Sequence, residues 1–403
     1  MSDVGCTSFG LTTRSHSEIL QVFFSRNNAN FDCTITADGA LTSAERQNGE
    51  TANFTNSFLT EGLVDLQVNG FAGIDFNRHE LTAAQLDFSL SEMARTGVTT
   101  FLPTVITGSA NEMVRTLRSL DAAVSASHLG SLMVAGYHIE GPFLSPKDGY
   151  AGAHSSAYMT IANIELVDEL QQVSSRPIRI MTVAPEVDGV IDLIPELVKR
   201  GIAVAIGHSA ANLEQIEAAV KAGATLCTHL GNGLPQMLHK TDNPIFWQLA
   251  QDKLTAMFVA DGIHVPIPTL QTMLRAKGPN RTILTTDAVS AACMQYKPGI
   301  YTLGKSAIEM SSDGTVRIPG SIYLAGSSVT MDQILRNIIG WYGYTIPQAL
   351  EVTQLNPSQL LGAIPEYPSI GKPVRFVEWR QSEDGPRVAR THIGPFTIEK
   401  HNS

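Results

Sequence analysis

The sequence predicts an α/β chain built on a (β/α)₈ barrel of the TIM type. Short strand-like runs alternate with helically spaced segments from about residue 62 to residue 340, and a polar residue sits just past the end of five of those runs. The candidate strands are Leu63–Val68, Thr99–Leu102, Leu132–His138, Ile178–Val183, Ala203–Ile206, Thr225–Thr228, Thr255–Val259 and Thr282–Thr285. Between most of them lie helical patterns: Ala84–Arg95, Glu112–Ala123, Ile161–Leu170, Ile191–Lys199, Leu213–Ala222 and Pro268–Leu274. The polar residues that follow the runs are Glu140, His208, His229, His264 and Asp287. Contributions from strands so far apart in sequence favour a closed barrel, which gathers strand ends around one mouth. An open doubly wound sheet would spread them along a crevice.

The flanks have a different character. Phe31–Leu41 carries strand-like residues around Asp38-Gly39, and Arg375–Phe396 carries them around Asp384-Gly385. Both read as hairpins, and the two termini are expected to meet in a small β-domain beside the barrel. Gly299–Ile318, with Asp313-Gly314 at its turn, reads as a further β insertion after the eighth strand.

Composition narrows the class. Of 403 residues, 43% are hydrophobic and 16% charged, enough apolar material for a large core and too little charge for disorder. A net charge of −10, without a long basic run, argues against a nucleic-acid surface. No secretory signal is evident in Met1 to Leu11, and no apolar stretch is long enough for a bilayer. Cys6, Cys33, Cys227 and Cys293 lack CxxC spacing, which fits reduced thiols in a cytoplasmic protein.

Glu140, His208 and His229 offer one carboxylate and two imidazoles, a shell suited to one divalent ion with a coordination position left for water. Zinc is the expected ion, with iron, manganese and cobalt open. Asp287, at the end of the last strand, is placed to take a proton from that water. These residues read together as a metal-dependent hydrolase. His138, two residues before Glu140, alternates to the same face and either reaches the metal or supports Glu140 from behind. His16, His79, His128, His392 and His401 have no convergent context and are expected at the surface.

Several strings occur in one order: Gly136-Tyr-His-Ile-Glu-Gly-Pro-Phe-Leu144, Gly207-His-Ser209, Thr228-His-Leu230, Ala260-Asp-Gly-Ile-His264, Thr286-Asp-Ala288 and Leu324-Ala-Gly-Ser327. With Gly62-Leu-Val-Asp-Leu-Gln-Val-Asn-Gly70 before them, they resemble the N-acetylglucosamine-6-phosphate deacetylase family of the amidohydrolase superfamily. The resemblance runs from about Gly62 to Gly362. It implies a barrel over residues 62–365, a small β-sandwich from residues 1–61 and 366–403, and a homodimer. The implied reaction frees acetate and glucosamine 6-phosphate from N-acetyl-D-glucosamine 6-phosphate.

Position by position, the resemblance makes Glu140, His208 and His229 the metal ligands and Asp287 the catalytic aspartate. His264, His154, Gly231, Asn232, Lys240 and Leu324 fall on the substrate side. Where many amidohydrolases carry His-x-His for a second metal, this chain has Gln67 and Asn69, which resembles the single-metal branch. Those two amides either meet substrate or hydrogen-bond neighbouring strand ends. After His229 the family commonly has an aromatic, and downstream an arginine that grips phosphate from the partner subunit. Here Gly231 replaces the aromatic and Lys240 stands near the arginine's place. An unphosphorylated or differently configured N-acetyl amino sugar, such as N-acetylgalactosamine 6-phosphate, therefore stays open. So does a non-catalytic sugar-binding relative.

Overall fold

Eight parallel strands form the centre of the structure, a computed structural model that describes residues 10–47, 54–294, 297–362 and 370–400. They are β1 (Leu63–Val68), β2 (Val98–Ile106), β3 (Tyr137–Glu140), β4 (Ile178–Val183), β5 (Ala203–Ile206), β6 (Leu226–Cys227), β7 (Thr255–Phe258) and β8 (Thr282–Leu284). Each pairs with the next in chain order. The ring closes where Val68 bridges Ala288 in parallel, with Asn69 N donating to Ala288 O at 2.7 Å. This is a nearly closed barrel, as expected from the strand-helix alternation.

Alternation along each strand divides the core in two. Val204 and Ile206 of β5 join the cluster packed under the helices, while Ala205 between them joins the barrel interior. Ala256, Met257 and Phe258 of β7 alternate in the same way. Val64, Leu102, Ile180, Leu226, Met257 and Ile283 thus fill the interior with Ala205, so the barrel is a packed plug beneath the site. The helices start where local chemistry dictates. Thr82 with Gln85, Ser109 with Glu112 and Asn212 with Gln215 form reciprocal capping boxes that open Ala83–Ala94, Ala110–Ala126 and Leu213–Ala222.

The segments at either end of the described chain interleave in a second eight-stranded sheet. Arg375–Ser382 lies between Ser57–Glu61 and Gly385–Ile393, antiparallel to both, with Trp379 opposite Phe58. Val22, Phe24, Phe31, Cys33, Ile35 and Phe376 form its separate core. The insertion after β8 is a three-stranded sheet, Gly299–Leu303, Ser306–Met310 and Val316–Arg317.

Three expectations need correction. The third strand does not begin at Leu132: Gly130–Met133 is a turn of helix, and β3 starts at Tyr137 after Gly136 at φ 145°. Among the helices that escaped the sequence reading, Pro244–Ala250 and Met331–Tyr342 are the longest. His392 is not at the surface; it is 6% exposed and lies 2.7 Å from the Arg14 guanidinium. His401 and Cys6 lie outside the described residues.

Lys277, only 1% exposed, closes the β6–β7 side of the barrel. Its Nζ donates to the carbonyls of Gln248, Gln251 and Leu254 at 2.9, 2.8 and 2.7 Å. Lys277→Met strands three buried acceptors. It is predicted to cost roughly 2–4 kcal/mol in urea unfolding without changing the fold. An unchanged urea midpoint would mean that those carbonyls find other partners.

Candidate active site

Glu140 ends β3, His208 and His229 follow β5 and β6 by two residues, and Asp287 follows β8 by three. All four therefore stand at the C-terminal mouth of the barrel. Three of them hold left-handed backbone: His208 at φ 49°, His229 at 28° and Asp287 at 51°. Such conformations cost of order 1–3 kcal/mol each in residues with a Cβ and persist only where the surroundings impose them. Here Ser145 N bonds His208 O at 3.0 Å, Asn232 N bonds His229 O at 3.0 Å, and Ser327 N bonds Asp287 O at 2.9 Å.

The strained backbone at His208 and His229 aims two donor atoms at the Glu140 carboxylate. His208 Nε2 and His229 Nε2 are 3.1 Å apart, and they lie 3.5 and 3.1 Å from Glu140 Oε1. Ligands about 2.0–2.1 Å from a tetrahedral zinc are separated by about 3.3–3.4 Å, so the triangle fits three of its corners. His208 Nδ1 lies 2.8 Å from the carbonyl of Tyr150, which makes Nδ1 the protonated nitrogen and leaves Nε2 a lone pair. Burial pushes the His208 imidazole down to about 4, which keeps it neutral as a ligand must be. Burial acts to raise Glu140, but the adjacent His154, His208 and His229 imidazoles outweigh it and hold the carboxyl well below the usual range. The donor set thus fits a divalent ion.

His154 lies closer to this cluster than its expected place on the substrate side. Its Nε2 is 3.4 Å from Glu140 Oε2, and donor atoms of Glu140, His154 and His208 lie within 4.8 Å of one another. Its Nδ1 is 3.0 Å from Thr107 Oγ1. Gly152 and Gly233, at φ 59° and 61°, flank the His208 ring. A Cβ would come within 3.0 Å of that ring at Gly152 and 2.8 Å at Gly233, so neither position admits a side chain without moving the ring.

Asp287 has a different setting. Its Oδ1 accepts from Asn69 Nδ2 at 2.8 Å, and burial raises its carboxyl to about 6. His264 is held by Asp261, whose Oδ2 is 2.6 Å from His264 Nδ1 and whose Oδ1 accepts from the amides of Ile263 and His264. The ring's second nitrogen is left for the cavity that His264 lines.

That cavity measures about 640 Å³. Gly231, Asn232, Lys240, Leu324, His154 and His264 all line it, as do the Glu140 and Asp287 carboxylates. Gln67 does not line it. Fully buried, it stands behind Glu140 and donates to Oε1 at 3.0 Å, while Asn69 supports Asp287. His138 is likewise a barrel-interior residue, bonded to Leu66 O and Thr182 Oγ1 at 3.1 and 2.8 Å. Sequence reasoning missed Tyr150, Arg317 and Tyr323, the last two on the cavity wall. Tyr323 directly precedes the Leu324-Ala-Gly-Ser327 string, whereas no local signal marks Tyr150 or Arg317.

The triangle predicts that His208→Ala and His229→Ala each lower bound metal well below that of the parent protein, measured by elemental analysis after gel filtration. Gln67→Ala is predicted to keep the parent stoichiometry of one. Full occupancy in either histidine variant would remove that residue from the ligand set.

No protein-family profile matches the chain. Single relatives match well. An N-acetylglucosamine-6-phosphate deacetylase from Danio rerio is 34% identical over 322 residues, 76% of either chain. An N-acetylgalactosamine-6-phosphate deacetylase from Escherichia coli O157:H7 is 30% identical over 326 residues, 81% of this chain and 84% of the relative. Among solved structures, a mutant N-acetyl-D-glucosamine-6-phosphate deacetylase from Mycobacterium smegmatis, in complex with N-acetyl-D-glucosamine-6-phosphate, superposes with a TM-score of 0.80 at 24% identity. That match covers 96% of this chain and 100% of the other, and speaks for the fold. The barrel with its ligands at the C-terminal mouth and the similarity along three quarters of the sequence agree: the chain belongs to the N-acetylglucosamine-6-phosphate deacetylase family of amidohydrolases.

Proposed function

We propose that this enzyme hydrolyses the acetamide of N-acetyl-D-glucosamine 6-phosphate, releasing acetate and glucosamine 6-phosphate. One observation supports this above the others: two buried carboxylates share a cavity in unlike settings. Glu140 stands among the His154, His208 and His229 nitrogens, whereas Asp287 is bonded by Asn69 and pushed up by burial to about 6, the setting of a group that carries a proton.

Glu140, His208 and His229 would hold one divalent ion per subunit, zinc expected. When bound, that ion supplies Lewis acidity to the water and to the acetyl oxygen. The chain's own groups do the remainder. Asp287, oriented by Asn69, accepts a proton as water oxygen bonds to the acetyl carbon. The carbon–nitrogen bond then breaks, and Asp287 returns the proton to the sugar nitrogen, which leaves as the amine. His264, fixed by Asp261, donates to the acyl oxygen as negative charge develops there. His154, Asn232, Gly231 and Leu324 border the sugar, and Lys240 meets the phosphate. Gln67 keeps Glu140 in place.

The same reading treats residues 1–61 with 366–403 as one unit and 62–365 as the other; the 365/366 boundary falls outside the described residues. It also carries a homodimer and a cytoplasmic setting. In support of the latter, Cys33, Cys227 and Cys293 are free thiols, and no helix among the described residues is long and apolar enough to cross a membrane. A second reading, the galacto-configured 6-phosphate, is favoured by the Escherichia coli relative and by Gly231, where the expected aromatic wall is missing.

Acetate release from N-acetylglucosamine and N-acetylgalactosamine, each with and without a 6-phosphate, tests the substrate. The gluco 6-phosphate is predicted to have the highest kcat/KM. A preference for either unphosphorylated sugar would overturn the proposal, and a preference for the galacto 6-phosphate would establish the second reading. Asp287→Asn, nearly isosteric but unable to carry the proton, is predicted to keep its metal and lose at least about 100-fold in kcat. Near-parent turnover in the metal-replete variant would remove Asp287 from the mechanism.

A further inference from the structure

We infer that Arg317 grips the substrate's phosphate and that Lys240 is the lesser contact within this chain. The inference rests on the 6-phosphate substrate proposed above.

The charge along the cavity is segregated. Among the described residues, Glu140 and Asp287 are its only lining carboxylates, 3% and 8% exposed, and both lie with the imidazoles. Among the same residues, Lys240 and Arg317 are its only lining lysine and arginine, and both are exposed. The acetamide on C2 must reach the deep end, so C6 and its substituent at the far side of the ring point outward, toward the cations.

Arg317 is better placed than Lys240 to define that end. It ends the strand Val316–Arg317 and bridges Leu324 antiparallel, with Ala325 N on Val316 O at 3.1 Å. Three residues beyond Leu324, Ser327 bridges Ala288 and bonds Asp287 O. A continuous backbone ladder therefore ties Arg317 to the catalytic carboxylate within one chain. The turn between Arg317 and Leu324 is also fastened across the mouth, since Tyr323 Oη donates to Asp148 Oδ1 at 2.9 Å. Lys240 instead sits in a stretch, residues 231–243, without helix or strand.

Among the described residues the guanidinium has no hydrogen bond and no ion pair within 4.0 Å, even with Glu309 opposite it in the ladder. Asp313 on the same insertion bonds Thr315 N at 3.0 Å, and Arg317 acts on that carboxyl only as the last and smallest influence holding it low. Arg200, Arg281, Arg336, Arg387 and Arg390, by contrast, all pair with carboxylates. A planar fork matches two phosphate oxygens at once, which a lysine ammonium cannot do.

The test compares KM and kcat for N-acetylglucosamine with and without the 6-phosphate in the parent, Arg317→Ala, Arg317→Lys and Lys240→Ala. Inorganic phosphate serves as a competing ligand. In Arg317→Ala the KM for the phosphorylated sugar should rise about tenfold or more, with most of kcat kept. The preference for the phosphorylated over the bare sugar should fall by the same factor. Inhibition by inorganic phosphate should weaken in parallel, Arg317→Lys should recover part of the loss, and Lys240→Ala should cost less than Arg317→Ala.

Parent-like KM and phosphate inhibition in Arg317→Ala would overturn the inference, as would equal losses on both sugars, which would mark a structural role. If the parent prefers the phosphorylated sugar and Lys240→Ala takes the whole effect, only this inference fails. If the parent shows no such preference, the substrate proposal fails with it.

Discussion

Three lone-pair-bearing atoms, Glu140 Oε1, His208 Nε2 and His229 Nε2, converge to within 3.1–3.5 Å of one another in a buried setting. Without a cation that arrangement is repulsive and poorly solvated. The fold is organised to impose it. Side chains come from β3 and from the turns after β5 and β6, two of them on left-handed backbone, and glycines at 152 and 233 leave the His208 ring its space. The barrel's packed interior makes this possible: strand ends anchored on a solid plug cannot relax apart to relieve the strain.

Asp65 extends the same logic to the base. Buried within the barrel, where burial raises its carboxyl, it accepts from Thr285 Oγ1 and Thr286 Oγ1 at 2.6 Å each and from Thr286 N at 3.1 Å. It also accepts from Gln67 N at 3.4 Å. One carboxylate thereby fastens the first strand to the residues immediately before Asp287. Two neighbouring amides then serve one carboxylate each, Gln67 bonding Glu140 and Asn69 bonding Asp287.

The barrel was legible in the sequence because its strands alternate strictly between two cores, and the polar cluster was legible because Glu140, His208, His229 and Asp287 stand at or just past strand ends. Other features depend on partners distant in sequence. Leu132–Val134 is as apolar as a buried strand, and an apolar run alone does not separate a strand from a short buried helix. Gln67 reads as a cavity residue until Glu140, 73 positions away, takes its amide. His392 has polar neighbours in sequence and is buried only because Arg14 and the sheet of both end segments enclose it. Helix Pro244–Ala250 did carry its signal, Asn243 as cap with proline next, but too short a pattern followed. Arg317 offered none, since its place at the mouth follows from a cross-strand bridge to Leu324.

The distribution of charge bears on how substrate enters. A divalent ion held as proposed at the deep end would offset the carboxylates there, while among the described residues the outer cations Lys240 and Arg317 have no other carboxylate on the cavity wall to offset them. A neutral sugar gains nothing from that outer field and can enter either end first. An anionic substituent is drawn to the mouth and held there, which leaves the opposite end of the ring to reach the ion and Asp287. Binding energy from a group remote from the reacting bond is thereby converted into orientation, the role that such remote contacts play when they favour the transition state over unproductive poses. The strain stored at His208, His229 and Asp287 serves the same end, because a rigid floor rewards only the substrate pose that the mouth has already selected.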